Sequence, residues 1–67
     1  MSLLGIPENY VYVHYKNGNK ENVANYGSLS IAQAMKFKER FETARAVKVV
    51  RVTLENRDST VIKDYEF

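Results

Sequence analysis

The sequence of 67 residues contains no cysteine and no tryptophan, and it has one proline and one histidine. Without cysteine, disulfides and thiolate metal sites are excluded. His14 alone does not make a metal site, so we expect neither a metal nor a cofactor. No run approaches the roughly 18 apolar residues that a membrane-spanning helix needs. A chain this small that has neither a disulfide nor a structural metal site depends on close packing or on a partner chain.

The size of the chain indicates a single domain, which we place at residues 9–67 after a flexible tail formed by residues 1–8. Pro7 supports this boundary because proline is poorly tolerated inside a sheet. The first residues lack the basic segment of a signal peptide, so we expect a cytoplasmic location. A small chain gains stability from additional buried area, which favours a homodimer.

Charge is unevenly distributed although the net charge is only +2. Residues 36–51 contain six basic side chains and two acidic ones, whereas the last segment is acidic. A solvated helix face explains this pattern, and an anionic partner is the alternative. The candidate phosphate contacts under that alternative are Lys36, Arg40, Lys48 and Lys63.

A β-hairpin is predicted near the start of the domain. Residues 10–15, with the sequence YVYVHY, are rich in residues that favour strands. Asn17-Gly18 follows at once and predicts a two-residue type I′ turn, because both residues accept positive φ. The returning strand, residues 20–26, is weak, and we place it at a sheet edge.

A single helix is predicted over residues 31–45. Ser30 and Gln33 have the spacing of a capping box. At about 100° per residue, the apolar side chains fall within roughly half of the circumference. Lys38 and Glu42 are four residues apart and can form an ion pair.

Two further strands follow the helix, at residues 47–54 and 60–67, joined by a turn at residues 56–58. The fold class is therefore α+β, a ββαββ chain with a mainly antiparallel four-stranded sheet and the helix on one face. Strands one and three are the most apolar and should be central, which gives the order 2-1-3-4. The alternative order is 2-1-4-3, with the first and last strands parallel. The layout resembles that of many short bacterial and phage proteins, a resemblance of pattern that identifies no functional residue.

One helix can cover only one face of this sheet. Alternation assigns Val11, Val13 and Tyr15, and in the third strand Val50, Val52 and Leu54, to the helix face. The opposite face, which we call the open face, is then expected to present Tyr10, Tyr12, His14, Val47, Val49 and Arg51, joined by Lys63 and Tyr65. A shift of one residue would exchange the two faces.

These features favour a small non-catalytic interaction module that self-associates through the open face or a sheet edge. Binding of a different protein is a second interpretation. Nucleic-acid binding is a third, with bases stacked on the sheet tyrosines and cations near phosphate. No Gly-rich phosphate loop is present. Serines fit turn and cap roles, and the lone histidine a structural one, so we do not expect an enzyme.

Overall fold

The structure is a computed structural model, and it describes residues 9–67. The predicted tail at residues 1–8 lies outside the described residues. The elements follow in the order β1 (Tyr10–Tyr15), β2 (Lys20–Ala24), α1 (Ile31–Arg45), β3 (Val49–Glu55) and β4 (Val61–Glu66). Within residues 9–67, the single helix is neither long nor apolar enough to cross a membrane.

The four strands form one antiparallel sheet in the order β2-β1-β3-β4, which confirms the predicted α+β fold and excludes the order 2-1-4-3. The two most apolar strands, β1 and β3, lie side by side in the centre. β2 and β4 form the edges. This order follows from burial, because a central strand is hydrogen-bonded along both of its edges and buries one full face of side chains, which favours the most apolar strands.

Both hairpins have three-residue loops of the same geometry. In the first, the Gly18 N–H donates to the Tyr15 carbonyl and the Tyr15 N–H donates to the Asn19 carbonyl, at 2.9 and 2.8 Å. Gly18 has a φ of 93°, while Asn17 keeps a negative φ. The predicted type I′ turn is therefore wrong: the loop is a type I turn closed by a left-handed residue. An Asn17 side-chain oxygen that accepts from the Asn19 N–H stabilises it.

The helix begins and ends as its caps dictate. The Ser30 hydroxyl accepts from the Gln33 N–H at 3.2 Å, and the Gln33 side chain accepts from the Ser30 N–H at 2.8 Å, so the capping box is confirmed. The predicted ion pair between Lys38 and Glu42 is present at 3.0 Å. The helix ends without glycine, because Ala46 itself takes the left-handed conformation with φ 56°.

The core lies between the helix and one face of β1 and β3. Its buried members are Val11, Val13, Tyr15, Leu29, Ala34, Val49, Val52 and Leu54. The predicted face of β1 is therefore confirmed.

The first half of β3 is out of phase with the prediction. Tyr15 pairs with Val49 while His14 pairs with Arg51, so a bulge at Val50 inserts one residue between them. Val49 is consequently fully buried in the core, and Val47 packs against it. The assignment of both valines to the open face was wrong, as was the assignment of Val50 to the core.

Candidate interaction surfaces

The open face carries four of the six side chains predicted for it. Tyr10, Tyr12 and His14 alternate with the buried residues of β1, and Arg51 lies opposite His14 on β3. Lys63 and Tyr65 do not join them. Because directly paired residues of antiparallel strands share a face, their partners Leu54 and Val52 place both on the helix side.

A hydrogen-bonded row crosses the open face from His14 to Lys20. The His14 Nε2 lies 2.7 Å from the Thr53 hydroxyl, which donates to Glu55 at 3.1 Å, and the other Glu55 oxygen accepts from Lys20 at 3.0 Å. Lys20 also lies 4.3 Å from the centre of the Tyr12 ring. Since the single Thr53 proton is directed to a carboxylate, His14 must carry its proton on Nε2.

The charges of the open face are compensated within it. Arg51 forms two hydrogen bonds to Asp64, at 2.8 and 3.1 Å, and this contact raises the pKa of Arg51. Burial, with smaller contributions from Arg51 and Lys20, lowers the pKa of His14, which favours the neutral imidazole. Each cation of this row is therefore matched by a carboxylate, which disfavours the open face as a phosphate-binding surface.

The His14–Thr53–Glu55 row has the residue types of a proton relay, but its geometry is that of a structural network. Thr53 is completely buried and Glu55 nearly so, and the hydroxyl of Thr53 has both a donor and an acceptor partner. Such an oxygen is not presented to a substrate. Among residues 9–67, no group of three or more His, Asp or Glu side chains is placed to hold a metal ion.

A second polar cluster joins the first hairpin to the end of the helix. Arg45 binds both oxygens of Glu21, at 2.6 and 3.1 Å, and Glu21 also accepts from the Tyr15 hydroxyl at 2.6 Å. The hydrogen bond from Arg45, followed by that from Tyr15, lowers the pKa of Glu21 from 4.5 to about 2. Burial, followed by the bond to Glu21, raises the pKa of Tyr15. An open groove of about 600 Å³ lies beside this cluster. The cluster ties β2 to the helix.

Apolar side chains are exposed at the β4 edge and on the neighbouring helix flank. We call this surface the β4 surface, and its members are Ile31, Met35, Val61, Ile62 and Phe67, each between 41% and 58% exposed. The helix flank lies beside β4 because the Tyr65 hydroxyl donates to the Leu29 carbonyl and Lys38 lies 5.7 Å from the Phe67 ring centre. The sequence placed Ile31 and Met35 on the apolar arc of the helix, but the helix sits over β3 and β1, which leaves both beyond the sheet centre.

On the other flank of the helix lies a groove of about 290 Å³ that we call the Tyr26 groove. It is lined by Tyr26, Gln33, Lys36, Phe37 and Arg40. The four helical residues have the spacing i, i+3, i+4 and i+7, so they form one strip. The structure thus brings Lys36 and Arg40 together, whereas Lys48 lies in the connection between α1 and β3 and Lys63 lies on β4.

Tyr26 was missed by sequence reasoning, which extended β2 through it. Its ring lies 5.8 Å from that of Phe37, at an interplanar angle of 45°, and 37% of it stays exposed. Gly27 marked the end of the strand only approximately, since β2 ends at Ala24. No protein-family model, no curated protein and no solved structure matches this chain, so its surfaces are interpreted from their own geometry.

Proposed function

We propose that the protein is a non-catalytic interaction module that self-associates through the β4 surface, with a second copy of the chain as the occupant. The observation that carries this proposal is the distribution of exposed apolar side chains. Six large ones are exposed among residues 9–67, and five of them belong to the β4 surface. Val61 pairs with Glu55 and so lies toward the open face, whereas Phe67 lies beside Lys38 on the helix side, so the β4 surface extends around the sheet edge. Exposed apolar side chains at a sheet edge are typical of an association site.

The backbone of β4 supports pairing with another strand. The Phe67 N–H donates to the Val50 carbonyl at 2.9 Å, and alternate residues bond to β3 in the same way. Asp64 and Glu66 therefore direct their backbone groups away from β3, whereas a bulge at Ile62, between the pairs Leu54–Lys63 and Glu55–Val61, interrupts the alternation there. Within the described chain, these groups form an open edge that an antiparallel copy of β4 can occupy.

Charge restricts the register of such pairing. A two-fold axis at Lys63, Asp64 or Glu66 would place identical charges directly opposite each other, and an axis at Tyr65 would oppose Asp64 and Glu66. Axes at Val61 and at Ile62 oppose no like charges within β4. Like charges opposite each other are destabilising, which leaves these two, and we infer the register centred on Ile62 because it also pairs Val61 with Lys63 inside the strand.

This register also brings the helix flanks together. A two-fold axis normal to the sheet keeps both helices on the same face of an eight-stranded sheet. With each helix over β3, their axes would be about 14 Å apart, which is three strand spacings. A helix with its side chains is about 10–12 Å wide, so Ile31 and Met35 of each copy would approach their counterparts above the paired β4 strands.

The open face is the weaker candidate for the same function. Tyr10 and Tyr12 provide aromatic contact area there, but the surface between them and β4 is a row of ion pairs and hydrogen bonds. Apolar driving force is what a small dimer interface requires at its centre. The β4 surface supplies it, and the open face does so to a lesser degree.

Cysteine cross-linking tests both the association and its register, because the natural chain has no cysteine. Directly opposed residues of an antiparallel pair have Cα atoms about 4.5–5.5 Å apart, within the range of a disulfide. Ile62→Cys should therefore form a disulfide dimer under mild oxidation. Glu66→Cys is the matched control on the same edge. In this register its two copies are about 27 Å apart along the strands, so it should remain reduced.

Sedimentation equilibrium of the cysteine-free protein completes the test. We expect a dimer at micromolar to submillimolar concentration and a monomer for Ile62→Lys, which places two lysines on the axis. Tyr26→Lys makes the same kind of change at an exposed aromatic residue outside the β4 surface, and it should stay dimeric. A monomeric wild type at 0.5 mM would refute the proposed function. A dimer that is cross-linked through Glu66→Cys instead would refute the register.

A further inference from the structure

We propose that the Tyr26 groove binds single-stranded nucleic acid, with a base stacked on Tyr26 and phosphates held by Lys36 and Arg40. This inference is independent of self-association, because the groove and the β4 surface lie on opposite flanks of the helix. At 100° per residue, Lys36 and Met35 differ by about 100°, and Arg40 and Ile31 by about 180°. A ligand in the groove would therefore not contact the paired β4 strands.

The two cations of the groove are available to an anion. Among residues 9–67, Lys20, Lys38, Arg45 and Arg51 each have a carboxylate partner, whereas neither Lys36 nor Arg40 forms an ion pair. Both are exposed and four residues apart, so they lie about 6 Å apart along the helix axis and on one strip. The nearby carboxylate, Glu39, lies about 160° around the helix from Phe37, on the far side of Lys36 from the groove.

The aromatic wall distinguishes this site from an ordinary basic helix face. Tyr26 leans on Phe37, which in turn lies 6.4 Å from Phe41, so the rings are anchored to the core. Arg40 lines the groove, and its guanidinium lies 5.9 Å from the Phe41 ring centre. A ring face beside a cation is the arrangement that stacks one base and binds its phosphate without reading sequence.

Single-stranded nucleic acid fits the groove better than a duplex does. A flat ring can stack only on a base that has left its own stack, and duplex bases are not available. The predicted site on the sheet tyrosines lacks unpaired cations, whereas the Tyr26 groove has both components. Lys36 and Arg40 were the sequence candidates for phosphate, and the structure supplies the aromatic partner that the sequence did not identify.

Fluorescence anisotropy with labelled oligo-dT and oligo-U of 12 nucleotides tests the proposal. Binding should be detectable at 25 mM salt and weaken as salt rises. Two fewer phosphate contacts in Lys36→Gln/Arg40→Gln should reduce the slope of log affinity against log salt by about 1.4. The matched control, Lys48→Gln/Lys63→Gln, removes the same charge elsewhere and should keep the wild-type slope.

The aromatic contribution is measured separately. Loss of one stacked base in Tyr26→Ala should weaken binding by about 5- to 100-fold, with a normal circular dichroism spectrum because the ring is partly exposed. Inorganic polyphosphate and polyglutamate are the competing anions. If either binds as tightly as the oligonucleotides, or if a duplex does, the stacking site is refuted. Absence of oligonucleotide binding at 25 mM salt, or equal slopes for the two double variants, would also overturn the proposal.

Discussion

Replacing Thr53 with valine removes the centre of the hydrogen-bonded row on the open face while nearly preserving shape. The Thr53 hydroxyl accepts from His14 at 2.7 Å and donates to Glu55 at 3.1 Å, and the residue is completely buried. In Thr53→Val, His14 and Glu55 each lose their hydrogen bond to Thr53, while Glu55 keeps that from Lys20 and a 4.0 Å contact with the His14 Nε2. The variant therefore tests whether this row stabilises the fold.

The size of the effect follows from the two bonds. A hydrogen bond between neutral groups contributes about 1 kcal/mol, and one to a carboxylate about 2 kcal/mol. The additional buried methyl group of valine returns about 0.8 kcal/mol. The net cost is about 2 kcal/mol, roughly half of the 3–5 kcal/mol that a core of this size provides. It corresponds to a fall of about 8–16 °C in Tm.

Urea unfolding at pH 7, followed by circular dichroism, measures this cost. Thr43→Val is the control, because it makes the same substitution at an exposed helix position and should change stability by less than about 0.5 kcal/mol. A Thr53→Val protein within that same margin of the wild type would show that the buried row contributes nothing, and the reasoning would be refuted.

Two further predictions concern the hairpin loops and the loss of stability at low pH. Ser59, with φ 67°, occupies in the second loop the position that Gly18 has in the first. A Cβ added at Gly18 would have no neighbour within 4 Å, so only the backbone conformation opposes a side chain there. Ser59→Gly should therefore raise the free energy of unfolding by about 0.5–1 kcal/mol, and Gly18→Ala should lower it by about 1 kcal/mol. If urea titrations show that both substitutions change the free energy of unfolding in the same direction, this reasoning is contradicted. The pKa of Glu21 is about 2 in the fold and 4.5 without it, so its ion pair with Arg45 stabilises fully above pH 4.5. That contribution should disappear as pH falls from 4.5 to 2. Between pH 4.5 and pH 2, the urea midpoint of Glu21→Gln should fall less than that of the wild type. An equal fall in both proteins would contradict the prediction.

The elements of the fold were predictable because they depend on local signals. Tyr10–Tyr15 and Ile31–Arg45 match the predicted bounds, since alternation identifies the strand and a capping box fixes the start of the helix. Strand order followed from the relative hydrophobicity of the strands. The end of the helix was not marked, because Ala46 takes a conformation that glycine usually signals.

The composition of the open face was not predictable from alternation alone. The bulge at Val50 changes the phase of β3 within one residue, so the pattern before it and after it point to different faces. No residue type marks this bulge, because valine is an ordinary strand residue. A one-residue error therefore moved Val47 and Val49 from the core to the surface, and it made the open face look more apolar than it is.

The same shift changes which surface should associate. With Val49 buried and Arg51 paired to Asp64, the open face is stabilised within one chain, whereas the apolar side chains of the β4 surface stay exposed within residues 9–67. If association adds buried area there, unfolding becomes linked to protein concentration. The wild-type Tm should then rise with concentration, and that of Ile62→Lys should not. The cost of Thr53→Val should be the same in both backgrounds, because Thr53 lies in the centre of the sheet and Ile62 at its edge. Strong coupling between the two substitutions would mean that the buried row, and not the edge, controls association.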